Sequence, residues 1–529
     1  MLRCEVADHT HHFRFHRTSV RCFAPPGSTS KSQLLRAATL ICLFVFLAPH
    51  SRPQASSPRD DHLVYRVKYD LATPNLIHIV IRLLPNTTGP QTLIIPRSVP
   101  GGYAQRPYDP FVLHVVARST GDVALVVRRD EPGPRWILGK ADDQLDRVEY
   151  DVDVGRMERE IFSAADTSKI RDFYVGLLGY SIFGFLQSFE NVPIELEITA
   201  PNSWPVFTTL APQVPAATTA FTASAANYYA LADSQITMGP RLQVEKVEKT
   251  MVTDADGAIP LFVSMYAEAG ANIAQESTQA FDALRKMVAY FGKAPFAHYS
   301  AVLEYLKPLP PPHEYNFSME HLDSGTFFMD VDHALTTKSS AAEKESHRFN
   351  YAHHIAHSWI PKRAYGSGYL PFTWEMEPVI DTIWFNEGFG RYAAIAGLAE
   401  AQPSEDEACR YRTDRLDRLR EIVATSPEFL RRMSLDELSR EGSFLYSDDF
   451  RVGMNLFARG ALMAAEMDDA IREQTHNQKS LRDALRHLLD WSVQNHRAFR
   501  TEELPQIFRE ATGVDTTAIL NRAMQPLVH

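Results

Sequence analysis

Tyr351-Ala352-His353-His354-Ile355-Ala356-His357-Ser358-Trp359 decides how the rest of the chain is read. His353 and His357 stand at i and i+4, so on a helix both imidazoles leave one face and can grip one metal ion. Ala352, Ile355, Ala356 and Trp359 give that face an apolar setting. Further on, Trp384-Phe385-Asn386-Glu387-Gly388-Phe389 holds a single carboxylate in an equally apolar run. Burying a lone carboxylate is costly unless it is paired or bound to metal. Two histidines and a glutamate with an open fourth position form the ligand set of a catalytic zinc. Histidines spaced four apart also occur by chance in many helices. On that reading they lie at the surface and Glu387 only meets backbone. In the H-E-x-x-H pattern the residue after the first histidine is the glutamate that activates water, and here it is His354.

The 529 residues are 45% hydrophobic and 22% charged, which fits a globular protein with material for more than one domain. A net charge of −11 with no long basic block argues against a nucleic-acid surface. Lys31 and Arg36 precede an apolar run from Ala37 to Ala48, and a Pro/Ser/Gln stretch follows to Ala55-Ser56. The run is too short to span a bilayer and fits a secretory signal. Residues 1–61 are therefore expected to be leader and linker, cleaved near Ala55. Export to the periplasm or the medium follows, with no stable membrane anchor in the mature chain. Cys4, Cys22 and Cys42 fall in that leader, which leaves Cys409 as a free thiol with no internal disulfide and no thiolate zinc site.

Residues 62–248 read as strands. Leu63 to Tyr69, Leu76 to Leu83 and Phe111 to Val116 alternate, Asp122 to Arg129 and Val148 to Val154 add more, and turn residues separate them. This spacing predicts a β-sandwich. Pro100-Gly101-Gly102-Tyr103 is a rigid turn that either shapes a loop or walls a cleft. Ala211 to Ala226 is expected to cover an irregular edge. From 249 to 529 the pattern becomes mainly helical. Helices are expected at Ile273 to Phe291, Glu343 to Trp359, Ile383 to Ala399, Glu405 to Ala424, Gly453 to Glu473, Ser480 to Val493 and Glu502 to Ala511. Strands are expected at Tyr299 to Leu306 and around a turn from Phe317 to Phe328. The fold class is thus α+β, a β-sandwich domain followed by a mainly helical one.

Several of these stretches, taken in order, resemble the glycyl aminopeptidase family of gluzincin zinc metallopeptidases. The family's Ala-His-Glu-x-x-His-Thr-Trp-x-x-Lys-Arg run is matched by Ala352 to Arg363, and its Trp-Phe-x-Glu-Gly-Phe run by Trp384 to Phe389. Its Gly-Gly-Leu-Glu-His segment resembles Phe317-Ser318-Met319-Glu320-His321, and its Pro-Gly-x-Tyr turn is matched by Pro100 to Tyr103. Tyr229 to Ser234 resembles the close of its first domain.

The resemblance implies a thermolysin-like catalytic domain, Zn2+ held by His353, His357 and Glu387, and a peptide or protein substrate. It also implies that Glu320 meets the substrate's free amine, with the peptide lying along the Glu320 strand. The implied activity is removal of N-terminal residues by metal-activated water. Three departures stand out. His354 replaces the catalytic glutamate and becomes the candidate proton-transfer group. The family's Tyr-Tyr-x-Lys-Gly is here Leu456-Phe457-Ala458-Arg459-Gly460, with no hydroxyl, and its common PDZ domain has no counterpart. Glu375, Glu377, Tyr365 and Tyr369, between the two metal segments, are possible substitutes. The two losses also suit a zinc-binding pseudopeptidase that holds peptides or proteins without cleaving them.

Overall fold

The computed structural model describes residues 61–201, 204–215, 220–248 and 259–528. The signal and cleavage expectations lie outside these residues. Cys409 is disulfide-bonded, which overturns the free-thiol expectation; the other three cysteines all precede residue 61.

The first part of the chain builds three sheets on one core. A seven-stranded sheet runs Ala220–Ala225, Ile194–Thr199, Leu63–Tyr69, Leu76–Arg82, Leu145–Asp153, Val112–Ser119 and Ala124–Leu125 in spatial order. Leu63, Tyr65, Val67 and Tyr69 point inward while the residues between them are half-buried or exposed, as period-2 alternation demands. Two four-stranded sheets pack against it, sharing one apolar cluster that includes Ile79, Leu93, Trp136, Leu177 and Ile236. Of the stretch expected to be irregular, residues 211–215 are so and 216–219 lie outside the described residues, but Ala220–Ala225 is a regular edge strand whose alternate residues Phe221, Ala223 and Ala225 are buried.

A five-stranded mixed sheet follows, in the order Gln243–Val247, Leu261–Ala267, Tyr299–Leu306, Ser324–Asp330 and Phe317–Glu320. Tyr299–Leu306 lies parallel to both neighbours and is buried at every position, which explains its unbroken apolar reading. Phe317–Glu320 pairs antiparallel with Ser324–Asp330 and forms one edge.

Beyond residue 340 the chain is mainly helical. Ile273–Phe291 and Ile383–Ala399 take the bounds that their periodicity predicts. The first histidine-bearing helix is Ala341–Ala356, shorter at its end than expected. Ser358 and Trp359 donate to carbonyls three residues back, a tightened final turn, and Pro361 disfavours helical backbone at Ile360. A helix at Leu435–Leu445 was not expected, although Ser434 and Glu437 form a capping box that marks its start. Among the described residues no helix is long and apolar enough to cross a membrane.

Candidate metal centre

The Ala341–Ala356 helix begins at a reciprocal cap. Glu343 N–H donates to Ser340 Oγ (3.2 Å), and Ser340 N–H donates to the Glu343 carboxylate (2.6 Å). Its rotation is fixed by Glu276, a fully buried carboxylate on the Ile273–Phe291 helix. Glu276 accepts from Tyr351 (2.7 Å), from Tyr305 (2.6 Å) and from Leu335 N–H (2.9 Å), and His347 Nδ1 lies 3.0 Å away. With Tyr351 and His347 tied down, the opposite ends of the same turns carry His353 and His357 toward the Ile383–Ala399 helix.

That second helix is placed by a close crossing with the Phe450–Gln474 helix. A Cβ on Gly460 would lie 2.1 Å from the Trp384 carbonyl oxygen, and one on Gly388 would lie 2.4 Å from the Gly460 carbonyl carbon. Only glycine permits the two backbones to approach so closely. Gly390 likewise leaves room for the His357 ring, 3.1 Å from where its Cβ would be.

His353 Nε2 and His357 Nε2 are 3.4 Å apart, and each lies 3.6 Å from Glu387 Oε2. A tetrahedral ion with bonds of about 2.1 Å spaces its ligands about 3.4 Å apart, so the three donors match the edges of one zinc site. All three are buried. His357 Nδ1 donates to the Ile360 carbonyl at 2.8 Å, which fixes the proton there and turns the Nε2 lone pair inward. Burial, with His357 beside it, pushes His353 well below the ordinary imidazole value. At His357 burial is outweighed by Glu320 and Glu387, which push it up to about 9. Burial opposes the charge on Glu387, yet His357 and His353 hold that carboxyl well below its usual range. The cluster therefore favours positive charge at its centre.

His354 lies beside this triangle, its ring centre 4.9 Å from that of His353. Its Nδ1 lies 3.8 Å from Glu320 Oε2, and Glu320, His354 and His357 form a second group of facing donors. His354 Nδ1 and Glu320 Oε1 are both buried without a partner. Burial lowers the His354 value, with Glu320 partly offsetting it. Glu320 is held in place from the first part of the chain. Asp233 accepts from Leu322 N–H (2.6 Å) and faces the buried His321 Nδ1 (3.1 Å) and Lys362 Nζ (3.4 Å).

Residues 64–240 match the Peptidase M61 N-terminal domain. The aminopeptidase N family protein of Idiomarina loihiensis superposes with a TM-score of 0.75 at 19% identity, over 88% of this chain and 76% of that one. The fold is that of a gluzincin-type peptidase. An M1 zinc metallopeptidase mutant from Deinococcus radiodurans gives a TM-score of 0.54 at 13% identity, covering 89% and 95% of the two chains. The same mutant bound to a Tyr-Ser-Ala substrate gives 0.51 at 13% identity over the same shares. No curated protein matches the sequence.

Within the gluzincin fold, the rigid turn at Pro100 stands at the site. A Cβ on Gly101 would meet Glu320 Oε1 at 2.6 Å, and Asn386, next to Glu387, donates to the Tyr103 hydroxyl at 3.2 Å. Of the candidate substitutes between the metal segments, the two glutamates are bound elsewhere, while the buried Tyr369 hydroxyl has no hydrogen-bond partner among the described residues. Arg135 holds Glu375 through two bonds (2.6 and 2.7 Å), Val99 N–H donates to Glu377, and Tyr369 is buried beside Lys362 and Tyr229. Two further side chains were missed. Tyr446 follows the unexpected Leu435–Leu445 helix and packs its ring 5.3 Å from that of Tyr103, with its hydroxyl directed to Glu387. Arg391 lies one turn beyond Glu387. The i+4 spacing from Glu387 could have revealed Arg391, and the Ser-x-x-Glu start of the preceding helix was visible for Tyr446.

Proposed function

We propose that the chain is an exported zinc metallopeptidase of the glycyl aminopeptidase type, removing N-terminal residues from peptides. The observation that carries this reading is the 3.4–3.6 Å triangle of His353, His357 and Glu387. A zinc ion held there supplies Lewis acidity to a peptide carbonyl and to water. The division into residues 62–248 and a catalytic part from 249 to 529 is part of the same proposal.

Glu320 ends an edge strand, so an extended peptide can lie alongside it with its free amine at the carboxylate. The oxygen without a partner on Glu320 gives that amine an acceptor. His354 is the proton carrier: held largely neutral by burial, it can take a proton and return it to the leaving amine. Its Nδ1 makes no hydrogen bond among the described residues, with the Glu320 carboxylate 3.8 Å away. Phe457 offers no hydroxyl, whereas the Tyr446 hydroxyl lies beside Glu387 and can donate to a developing oxyanion.

Hydrolysis of amino-acid amides that is lost with a chelator and restored by zinc tests this reading. Activity indifferent to the chelator contradicts it. The position of His354 against Glu320 rather than against the triangle favours one other reading, a zinc-binding pseudopeptidase that retains peptides uncleaved. His354→Glu separates the two. A large gain in hydrolysis marks a decayed site, and a loss marks a working histidine.

A further inference from the structure

Arg391 lies four residues after Glu387 and so on the same face of its helix. Its guanidinium carbon is 4.5 Å from the ring centre of Phe457 and 5.0 Å from that of Phe349. Phe349 precedes His353 by one turn. The cation is thus clamped between an aromatic ring of the histidine helix and the ring that stands where a hydroxyl is missing. Among the described residues no hydrogen bond or ion pair engages Arg391, and its Nε is buried without a partner. Arg415 is the contrast: it stacks on the same Phe349 ring at 4.2 Å but pairs with Glu345 at 3.3 Å.

Arg391 is half-buried, and a guanidinium whose Nε is shut off from water without an anion carries a desolvation cost that an ion pair would offset. Burial draws the Arg391 value down to about 10, so the group stays charged at neutral pH, and Tyr446 and Glu387 are among the groups acting on it. Glu387 cannot serve as the missing anion, because its carboxylate already faces both histidines.

We propose that Arg391 receives a carboxylate of the peptide substrate, which makes this a site for short or acidic peptides. The planar fork of an arginine suits a carboxylate, and two flanking rings leave its donor edge the only direction for binding. The proposal rests on the peptidase reading for its substrate class. The carboxylate is either the C-terminus of a dipeptide or an acidic side chain just beyond the cleaved bond.

The zinc-loaded chain is assayed on Ala-Ala against Ala-Ala-amide, and on Ala-Asp-amide against Ala-Asn-amide. One pair should differ in kcat/KM by about tenfold or more, the discrimination expected of a charged hydrogen bond. A difference in the first pair assigns the C-terminus, and a difference in the second assigns the side chain. In Arg391→Gln the affected ratio should collapse to about one, and Arg391→Lys should keep part of it. Equal rates within both pairs in the unaltered chain overturn the proposal, as does a ratio that survives Arg391→Gln. Should no peptide be cleaved, calorimetric binding of the same pairs decides. Binding that needs both the carboxylate and Arg391 sustains the proposal while the peptidase reading falls, and equal binding within the pairs overturns it.

Discussion

Glu387 Oε2 is equidistant, at 3.6 Å, from the Nε2 atoms of His353 and His357, which come from a different helix. Nothing local to either helix produces that equality. It depends on Glu276 fixing the rotation of one and on Gly388 and Gly460 fixing the depth of the other.

The ligand triangle predicts the effect of removing one corner. Glu387→Gln or His353→Ala should weaken zinc binding by more than about 100-fold, the upper range for losing a residue that merely supports a ligand. Competition with a chromogenic chelator measures it. Unchanged affinity in both variants would place the metal elsewhere.

The close crossing predicts that a single methyl group matters. In Gly460→Ala the new Cβ must displace the Trp384 carbonyl, which should destabilise the fold by about 3 kcal/mol in denaturant titration. Since Trp384 lies one turn before Glu387's neighbours, zinc affinity should fall as well. A variant as stable as the parent would show that the two helices can separate without cost.

His354 should matter for rate more than for binding. His354→Ala is expected to lower kcat by about 10²-fold or more, the usual weight of a proton-transfer group, with zinc content unchanged. Steady-state kinetics with metal analysis on the same sample tests this. An unaltered kcat would remove His354 from the chemistry.

Glu377 predicts a pH dependence of stability. Burial pushes its carboxyl well above the usual value; the Val99 N–H and Arg106 oppose that rise and Asp166 adds to it. With a folded value above the unfolded one of about 4.3, the folded chain binds more protons here, so this group destabilises the fold increasingly as pH rises past the unfolded value. Glu377→Gln removes that liability. Its stability gain over the parent should be small near pH 4–5 and grow toward about pH 8 in urea unfolding. A gap that shrinks with rising pH would contradict the assignment.

Much of this architecture is legible in sequence because the buried elements are long and periodic. Ile273–Phe291, Ile383–Ala399 and Tyr299–Leu306 have the bounds that apolar spacing predicts. Leu435–Leu445 escapes because it is short, although Ser434 and Glu437 signal its cap. The pairing of His353 with His357 follows from helical spacing. The approach of His354 to Glu320, and of Tyr446 to Glu387, is made by separate elements meeting, which no local pattern encodes. Glycine at 388 and 460 is visible as a residue type, but its reason appears only when the two helices are seen to touch.

The central claim is tested most directly by measuring zinc content and amino-acid-amide hydrolysis together on the purified chain and on His353→Ala. About one zinc per chain, with turnover that rises with zinc content and is lost with the metal in His353→Ala, is the result expected of a three-ligand catalytic site. Bound metal with no turnover, or turnover that His353→Ala leaves untouched, would contradict it.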